Sequence, residues 1–276
     1  MYDLAERAGW TPFDAGATDH SREAHWPVPR DMRADELVVF FEPRVRLSDG
    51  RLDGAETLVR WRHNGEIIEP GRFIEAVESS PVVRPFTAHV IDQGLREARQ
   101  WPGEGIVSFN VPTAVLVDPA FQHWLVERVA RSGLPPERIE LELLERSPMP
   151  VHDHETAALG QLHEAGFRLA LDDFGKGFHA TTVPTVIPLD RVKLDRGLID
   201  PVRPGNAAAR ALVRLLEPLR NRGVELVAEG VHSHTQLQAL RHAGVDLYQG
   251  ELPGLAMPAD EFLARTAGNN GHIAFA

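Results

Sequence analysis

Two hydrophobic rhythms alternate along the chain. Short runs rich in Val, Ile and Leu end on a polar residue, and segments with apolar residues three and four positions apart follow them. The runs are LVVFFEP, AETLVRW, IVSFN, IELELLE, FRLALDD, RVKLD, VELVAEG and VDLYQG. Runs of this kind, joined by helical segments, read as strands of a parallel sheet. The helical segments carry their own boundary signals. Asp118-Pro119 is an N-cap and first-turn pair for a helix that closes on Gly133. NAAARALVRLLEPLRNRG puts Leu212, Leu215, Leu216 and Leu219 on one face and stops at Gly223. Pro70 to Ser79 and Thr87 to Trp101 also read as helical, the second with Val90, Ile91, Leu95 and Ala98 inward. The eight strand-like runs predict an α/β fold, a (β/α)8 TIM-like barrel rather than an open sheet. Only LSDGRLDG separates the first run from the second, and its Asp49-Gly50 is a hairpin signal, so the first strand is expected to run antiparallel.

The same pattern divides the chain. Residues 1–34 are polar and irregular and read as an N-terminal extension or linker, 35–266 as the barrel domain and 267–276 as a C-terminal tail. A length of 276 residues suits one α/β barrel. The net charge of −11 argues against duplex nucleic acid as a partner. It leaves a small phosphate ligand open, because metal ions or local arginines override net charge. Apolar residues at 43% rule out general disorder. The absence of cysteine excludes disulfides, thiolate metal sites and a cysteine nucleophile. The N-terminus lacks a basic start followed by an apolar run, and no stretch reaches about 18 apolar residues. No membrane segment is therefore expected, and the chain reads as cytoplasmic.

In a barrel of this kind chemistry sits at the C-terminal ends of the strands. Those positions offer Asn110, Glu142, Asp172, Asp173, Lys193, Glu229 and Gln249, with Glu56 nearer the middle of its strand. A single carboxylate at a strand end is more often a helix cap or a surface ion pair. The combination across strands is what points to a site, and the adjacent Asp172-Asp173 pair is costly without a partner. A divalent ion is the economical partner. All the donors are hard oxygens, which favours Mg²⁺ or Mn²⁺. Two ions sharing a carboxylate would suit metal-assisted phosphoester cleavage.

At these residues the chain resembles the EAL domain family, phosphodiesterases of the bacterial messenger cyclic di-GMP. The resemblance covers about Asp35 to Phe262. It rests on Glu56-Thr57-Leu58, then Val59-Arg60-Trp61-Arg62-His63, Pro70, Phe73-Ile74 and Phe109-Asn110. Glu142-Leu143-Leu144-Glu145, Asp172-Asp173-Phe174-Gly175, Lys193-Leu194-Asp195, Ala228-Glu229-Gly230-Val231 and Gln249-Gly250 follow in order. The resemblance implies a two-metal Mg²⁺ or Mn²⁺ site that opens one phosphodiester bond of cyclic di-GMP to give linear pGpG. It implies Glu56, Asn110, Glu142 and Asp172 as metal ligands, with Asp173 on the second ion. Lys193 would position the attacking water, Glu229 act as base or metal partner, and Gln249 complete the pocket. Arg60, Leu58 and Asp195 would meet the substrate, and Glu145 would anchor the loop after Asp173. It also implies a homodimer paired through the helix and loop after Asp173. The N-terminal extension leaves a sensory domain or partner open.

The departures bear on activity. Thr57 replaces the family's alanine, Leu144 a threonine, Asn64 a proline and His232 a glutamate, while Glu42 stands where glutamine usually precedes Pro43. Lys176, Phe178 and His179 fall in the loop after Asp-Asp-Phe-Gly, where the family has Thr-Gly-Tyr-Ser. Wear in such supporting contacts lowers metal affinity or activity by about ten- to a hundredfold. A weak or inactive cyclic di-GMP receptor is therefore the competing expectation. A scaffold binding neither metal nor nucleotide would have no use for the acidic ring. A barrel enzyme forming a metal-stabilised enolate would not need these segments in this order. His152, Asp153 and His154 read as loop, His232 and His234 as caps or solvent-facing, and Trp61 and Phe73 as core. The arginines at 203, 210, 214, 220 and 222 read as a solvated helix face.

Overall fold

The computed structural model describes residues 32–101, 103–144, 153–176 and 186–267. Its strands are β1 (Leu37–Arg46), β2 (Leu52–His63), β3 (Glu66–Ile68), β4 (Ile106–Asn110), β5 (Ile139–Leu144), β6 (Arg168–Phe174), β7 (Arg191–Leu194), β8 (Glu225–Ala228), β9 (Leu247–Tyr248) and β10 (Met257–Pro258). Its helices are α1 (Ile74–Glu78), α2 (Val83–Ala98), α3 (Thr113–Leu116), α4 (Pro119–Ser132), α5 (Asp153–Glu164), α6 (Arg196–Ile199), α7 (Ala207–Arg220), α8 (His234–Ala243) and α9 (Ala259–Ala267). Every strand-like run of the sequence forms a strand. Strands β2, β4, β5, β6, β7, β8 and β9 are parallel neighbours in that order. Strand β1 closes the ring by pairing antiparallel with both β2 and β9. The result is the expected closed eight-stranded barrel, with its first strand reversed. The short strands β3 and β10 lie outside the ring as extensions of β2 and β1.

The reversal follows from the β1–β2 hairpin. Gly50 takes φ 72°, and the Arg51 amide donates to Asp49 Oδ1 at 3.0 Å, closing the turn. A second tight turn at Asn64 and Gly65, both with positive φ, folds β3 back on β2. Gly54 is required for another reason: a Cβ there would lie 1.9 Å from the Ile106 carbonyl oxygen of β4.

Helix boundaries follow the caps. Asp118 accepts from the Ala120 amide at 2.8 Å, Pro119 starts α4, and Gly133 ends it at φ 78°. Asn206 caps α7 by accepting from Ala209, and Leu212, Leu216 and Leu219 turn into the core, with Leu215 half-buried beside them. Two expected helices differ. The segment from Pro70 to Ser79 splits at Phe73, whose φ of −143° separates a 3₁₀ turn (Pro70–Arg72) from α1. The next helix, α2, starts at Val83 rather than Thr87, because Pro85 falls in the first turn, where its missing N–H costs no helical bond. Asp153 and His154, expected in a loop, open α5. His152 and Glu145 lie outside the described residues, as do Phe178 and His179.

Strand residues alternate between two environments. Val107, Phe109, Leu141, Leu143, Leu169, Leu171, Val192, Leu194 and Leu226 are buried in the main core with Leu125, Leu159, Leu212 and Leu240 of the helices. The barrel interior is instead charged. Arg44, Glu56, Glu140, Glu142, Asp172, Arg191 and Lys193 are all under a tenth exposed. A smaller apolar cluster of Met32, Leu37, Val59, Trp61, Phe73, Val77 and Phe86 packs beside β2, so Trp61 and Phe73 are core residues as expected. All five arginines of the expected solvated face are exposed. Among the described residues, no helix is long and apolar enough to cross a membrane.

Candidate functional site

Interior positions two residues apart on each strand build the barrel lumen in layers. The lower layer is balanced. Arg44 Nε bonds Asp53 Oδ2 at 3.1 Å, and its Nη1 reaches Glu140 Oε1 at 2.6 Å. Arg191 meets Glu140 at 3.0 Å, Asp53 at 2.9 Å and Glu225 at 2.9 Å, while Arg46 meets Asp53 at 2.8 Å. Asp53 reaches this cluster because the β1–β2 register shifts at Arg44/Val45, leaving it as the extra residue of a bulge. Three cations face three carboxylates.

The layer above is not balanced. Lys193 Nζ, fully enclosed, lies 2.9 Å from Glu56 Oε2, 2.7 Å from Glu142 Oε2, 3.0 Å from Asp172 Oδ1 and 2.9 Å from Glu229 Oε1. Strands β7 and β2 are not neighbours in the sheet, so the Lys193–Glu56 contact crosses the lumen. Asn110 Nδ2 donates to Glu56 Oε1 at 2.7 Å, and Gln249 Nε2 donates to Glu56 Oε2 at 2.8 Å. Seven expected residues, Glu56, Asn110, Glu142, Asp172, Lys193, Glu229 and Gln249, thus meet in one cluster.

Asp173 joins them through its backbone. Adjacent strand residues normally face opposite sides. Asp173 takes φ 58°, a left-handed conformation that aspartate tolerates better than most side chains. One oxygen each of Asp172, Asp173 and Glu229 consequently lies within 4.8 Å of the others.

One ammonium does not satisfy four enclosed carboxylates. Burial pushes the Glu142 carboxyl up to about 8, with the Glu56 charge adding to the effect. Burial also raises Glu229 and Asp172 against the opposing pull of Lys193. Burial raises Glu56 too, but Lys193 and the Gln249 and Asn110 hydrogen bonds outweigh it, leaving Glu56 below its ordinary value. Burial lowers Lys193, and the surrounding carboxylates, Asp172 first, carry it well above the ordinary range. Glu142 Oε1 and Gln249 Oε1 are buried with no hydrogen-bond partner. Surplus negative charge, hard oxygen donors and unpartnered inward oxygens all fit a divalent cation.

The remaining expected residues stand apart from this cluster. Arg60 Nε pairs with Glu69 Oε2 at 3.0 Å, and its guanidinium lies 5.5 Å from the Phe40 ring centroid. Leu58 is half-buried and lines an apolar cavity of about 170 Å³ with Pro70, Ile74, Phe86, Val90 and Pro112. Asp195 Oδ1 caps α6 by accepting from Gly197 N at 2.8 Å, a structural commitment of that oxygen that the sequence did not announce. His232 and His234 are exposed. Besides Asp53 and Glu225 of the lower layer, two further acids escaped the sequence reading as site residues. Glu42 sits opposite Glu56 in the β1–β2 register, and burial with the Glu56 charge pushes it up to about 7. Glu140 lies two residues before Glu142 and serves the lower layer. The signal for the lower layer was present, since Arg44, Glu140 and Arg191 each sit two positions from an upper-layer acid or lysine inside an otherwise apolar run.

Comparison with known proteins settles the lineage. The profile of the EAL domain matches residues 27–254. The chain belongs to the EAL domain family. An uncharacterised signalling protein of Caulobacter vibrioides is 30% identical over 253 residues, covering 90% of this chain and 31% of that protein. The bifunctional diguanylate cyclase/cyclic di-GMP phosphodiesterase MucR of Pseudomonas aeruginosa is 29% identical over 237 residues, covering 84% of this chain and 35% of MucR. The chain therefore spans about a third of the length of both relatives. Among solved structures, the PaMucR phosphodiesterase in complex with c-di-GMP superposes with a TM-score of 0.76 at 27% identity, over 83% of this chain and 95% of that one. EAL domains are metal-dependent, and this member carries an acidic group, Asp172, Asp173 and Glu229, whose oxygens could hold a metal ion.

Proposed function

We propose that this EAL domain hydrolyses one phosphodiester bond of cyclic di-GMP to linear pGpG, using two Mg²⁺ or Mn²⁺ ions. The single observation that carries the proposal is the enclosure of four carboxylates from β2, β5, β6 and the end of β8 around one lysine. The kinship with MucR supplies the substrate class. Glu56, Asn110, Glu142 and Asp172 would hold one ion, and Asp173 with Asp172 and Glu229 the other. Bound ions supply charge neutralisation at the phosphate and lower the pKa of water.

The chain's own residues do the rest. Lys193, held by its four partners, presents a fixed positive charge to the centre. Glu229 is the least enclosed of those partners, at 17% exposure, and its raised proton affinity suits it to accept a proton from the attacking water. Gln249 orients Glu56. Arg60 lies at the rim, and its partner Glu69 is 68% exposed, so the guanidinium can exchange that carboxylate for a substrate phosphate. A cytoplasmic location, a homodimer and a sensory partner on the N-terminal side belong to the same proposal.

The deciding experiment is incubation of the purified chain with cyclic di-GMP and Mn²⁺, with chromatography of the products. Linear pGpG is expected from the wild type and none from Glu56→Ala. Full activity in that variant would overturn the assignment. One observation favours a second reading, a receptor with little turnover: Lys176 Nζ lies 3.0 and 3.1 Å from the two oxygens of Asp173. Calorimetry showing cyclic di-GMP bound and unchanged in the presence of Mn²⁺ would select it.

A further inference from the structure

The four-residue turn that leaves β6 is unusually determined. Asp173 is left-handed, Gly175 takes φ 103°, and the Lys176 amide donates to the Asp173 carbonyl at 3.1 Å. A Cβ on Gly175 would lie 2.2 Å from Leu198 Cδ1, so packing against α6 fixes the glycine and the turn around it. The turn brings the Lys176 side chain back over Asp173. Its Nζ lies 3.0 Å from Oδ1 and 3.1 Å from Oδ2, so the ammonium takes both oxygens of the carboxylate. Asp173 is 14% exposed in its side chain and Lys176 51%. The lysine therefore approaches from the solvent side of the three-carboxylate group formed with Asp172 and Glu229.

We infer that Lys176 is a tethered cation that competes with the second divalent ion for Asp173, so that the two metal positions of this chain differ in affinity because of one side chain. The inference rests on the metal-dependent reading above and deepens it. The first position, built from Glu56, Asn110, Glu142 and Asp172, shares only Asp172 with the second, and the ion pair of Lys176 is made to Asp173. A half-exposed ion pair is a weak competitor, and salt screens it. Loss of the lysine charge is therefore expected to tighten the second ion by about twofold to fivefold.

The test is a Mn²⁺ titration of the full chain, with free Mn²⁺ followed by electron paramagnetic resonance, on the wild type, Lys176→Gln and Lys176→Arg. The expected result is one tight and one weaker ion in the wild type and in Lys176→Arg. In Lys176→Gln the first ion should be unchanged and the second about twofold to fivefold tighter, with the difference shrinking as salt is raised. Identical titrations for Lys176→Gln and the wild type would overturn the inference and leave the metal reading intact. Equal tightening in Lys176→Arg would also overturn it, because charge would not be the cause. No bound Mn²⁺ in any of the three would overturn the metal reading and the inference together. Lys176 lies on the solvent side of its partner, so neither substitution removes core packing.

Discussion

Glu142 is fully buried and shares its surroundings with Glu56, Asp172 and Lys193. The unfolded chain loses the Glu142 proton near the ordinary 4.5, whereas the folded chain keeps it up to about 8. Between those values the unfolded state binds fewer protons than the folded one, so stability falls as pH rises. Asp172 and Glu229 are raised as well and act in the same direction. Glu56 is lowered, so its contribution is present above 4.5 and is lost only as pH falls below that value. The divalent-free protein is therefore expected to be most stable near pH 5 and to lose a few kcal/mol on the way to pH 8. Saturating Mn²⁺ should flatten this slope, because the ion takes the place of the shared proton and releases it. Glu142→Gln should flatten the slope without metal. Scanning calorimetry at constant ionic strength, in chelator and in Mn²⁺, checks both. A slope that persists unchanged in Glu142→Gln would assign the effect to other groups.

Elements deliver these residues to one place by close strand contact, and Gly54 is where that contact is tightest. A methyl at this position would meet the Ile106 carbonyl and force β2 away from β4. Glu56 is two residues further along β2, so the strand shift would move it relative to Asn110. Gly54→Ala is expected to cost about 1–3 kcal/mol in urea unfolding. It should also weaken Mn²⁺ binding, whereas Asp118→Ala, which removes a distant cap at a cost of about 1 kcal/mol, should not. Equal Mn²⁺ affinities in the two variants would break the link between this strand contact and the site. The elements themselves were largely legible in the sequence. Each strand run carried enough Val, Ile and Leu on its outer face to be read, and the reversed first strand was written in Asp49-Gly50. Helix ends were legible where a cap or a glycine marked them, as at Asp118 and Gly133. They were not where a backbone angle decided the matter, as at Phe73. Two site features also lay beyond the residue pattern. The bulge that turns Asp53 into the barrel and the left-handed Asp173 are conformations, and no residue type near them demanded either.

On the scale of the whole barrel, the lumen separates into two electrostatic compartments that share its wall. In the lower one Arg44, Arg46 and Arg191 offset Asp53, Glu140 and Glu225, and the charges balance as folded. The upper one gathers four carboxylates around Lys193 and is complete only with added positive charge. The compartments touch through Arg44 Nη1 and Glu142 Oε1, 3.8 Å apart. This division predicts opposite responses to the same ion. Arg191→Met takes from Asp53 and Glu140 a cation they share and leaves them Arg44 and Arg46, which should cost about 3–5 kcal/mol, in chelator and in Mn²⁺ alike, because no divalent ion has a place in the lower layer. Lys193→Met should cost a similar amount in chelator, since it strips the upper carboxylates of their one enclosed cation. Mn²⁺ should recover part of that loss, by binding where the ammonium stood among oxygen donors that favour it. Urea unfolding of both variants under both conditions measures the contrast. Rescue of both variants by Mn²⁺, or of neither, would show that the two layers do not divide structural from functional charge, whereas rescue of Lys193→Met alone ties the surplus negative charge of the upper layer to cation binding.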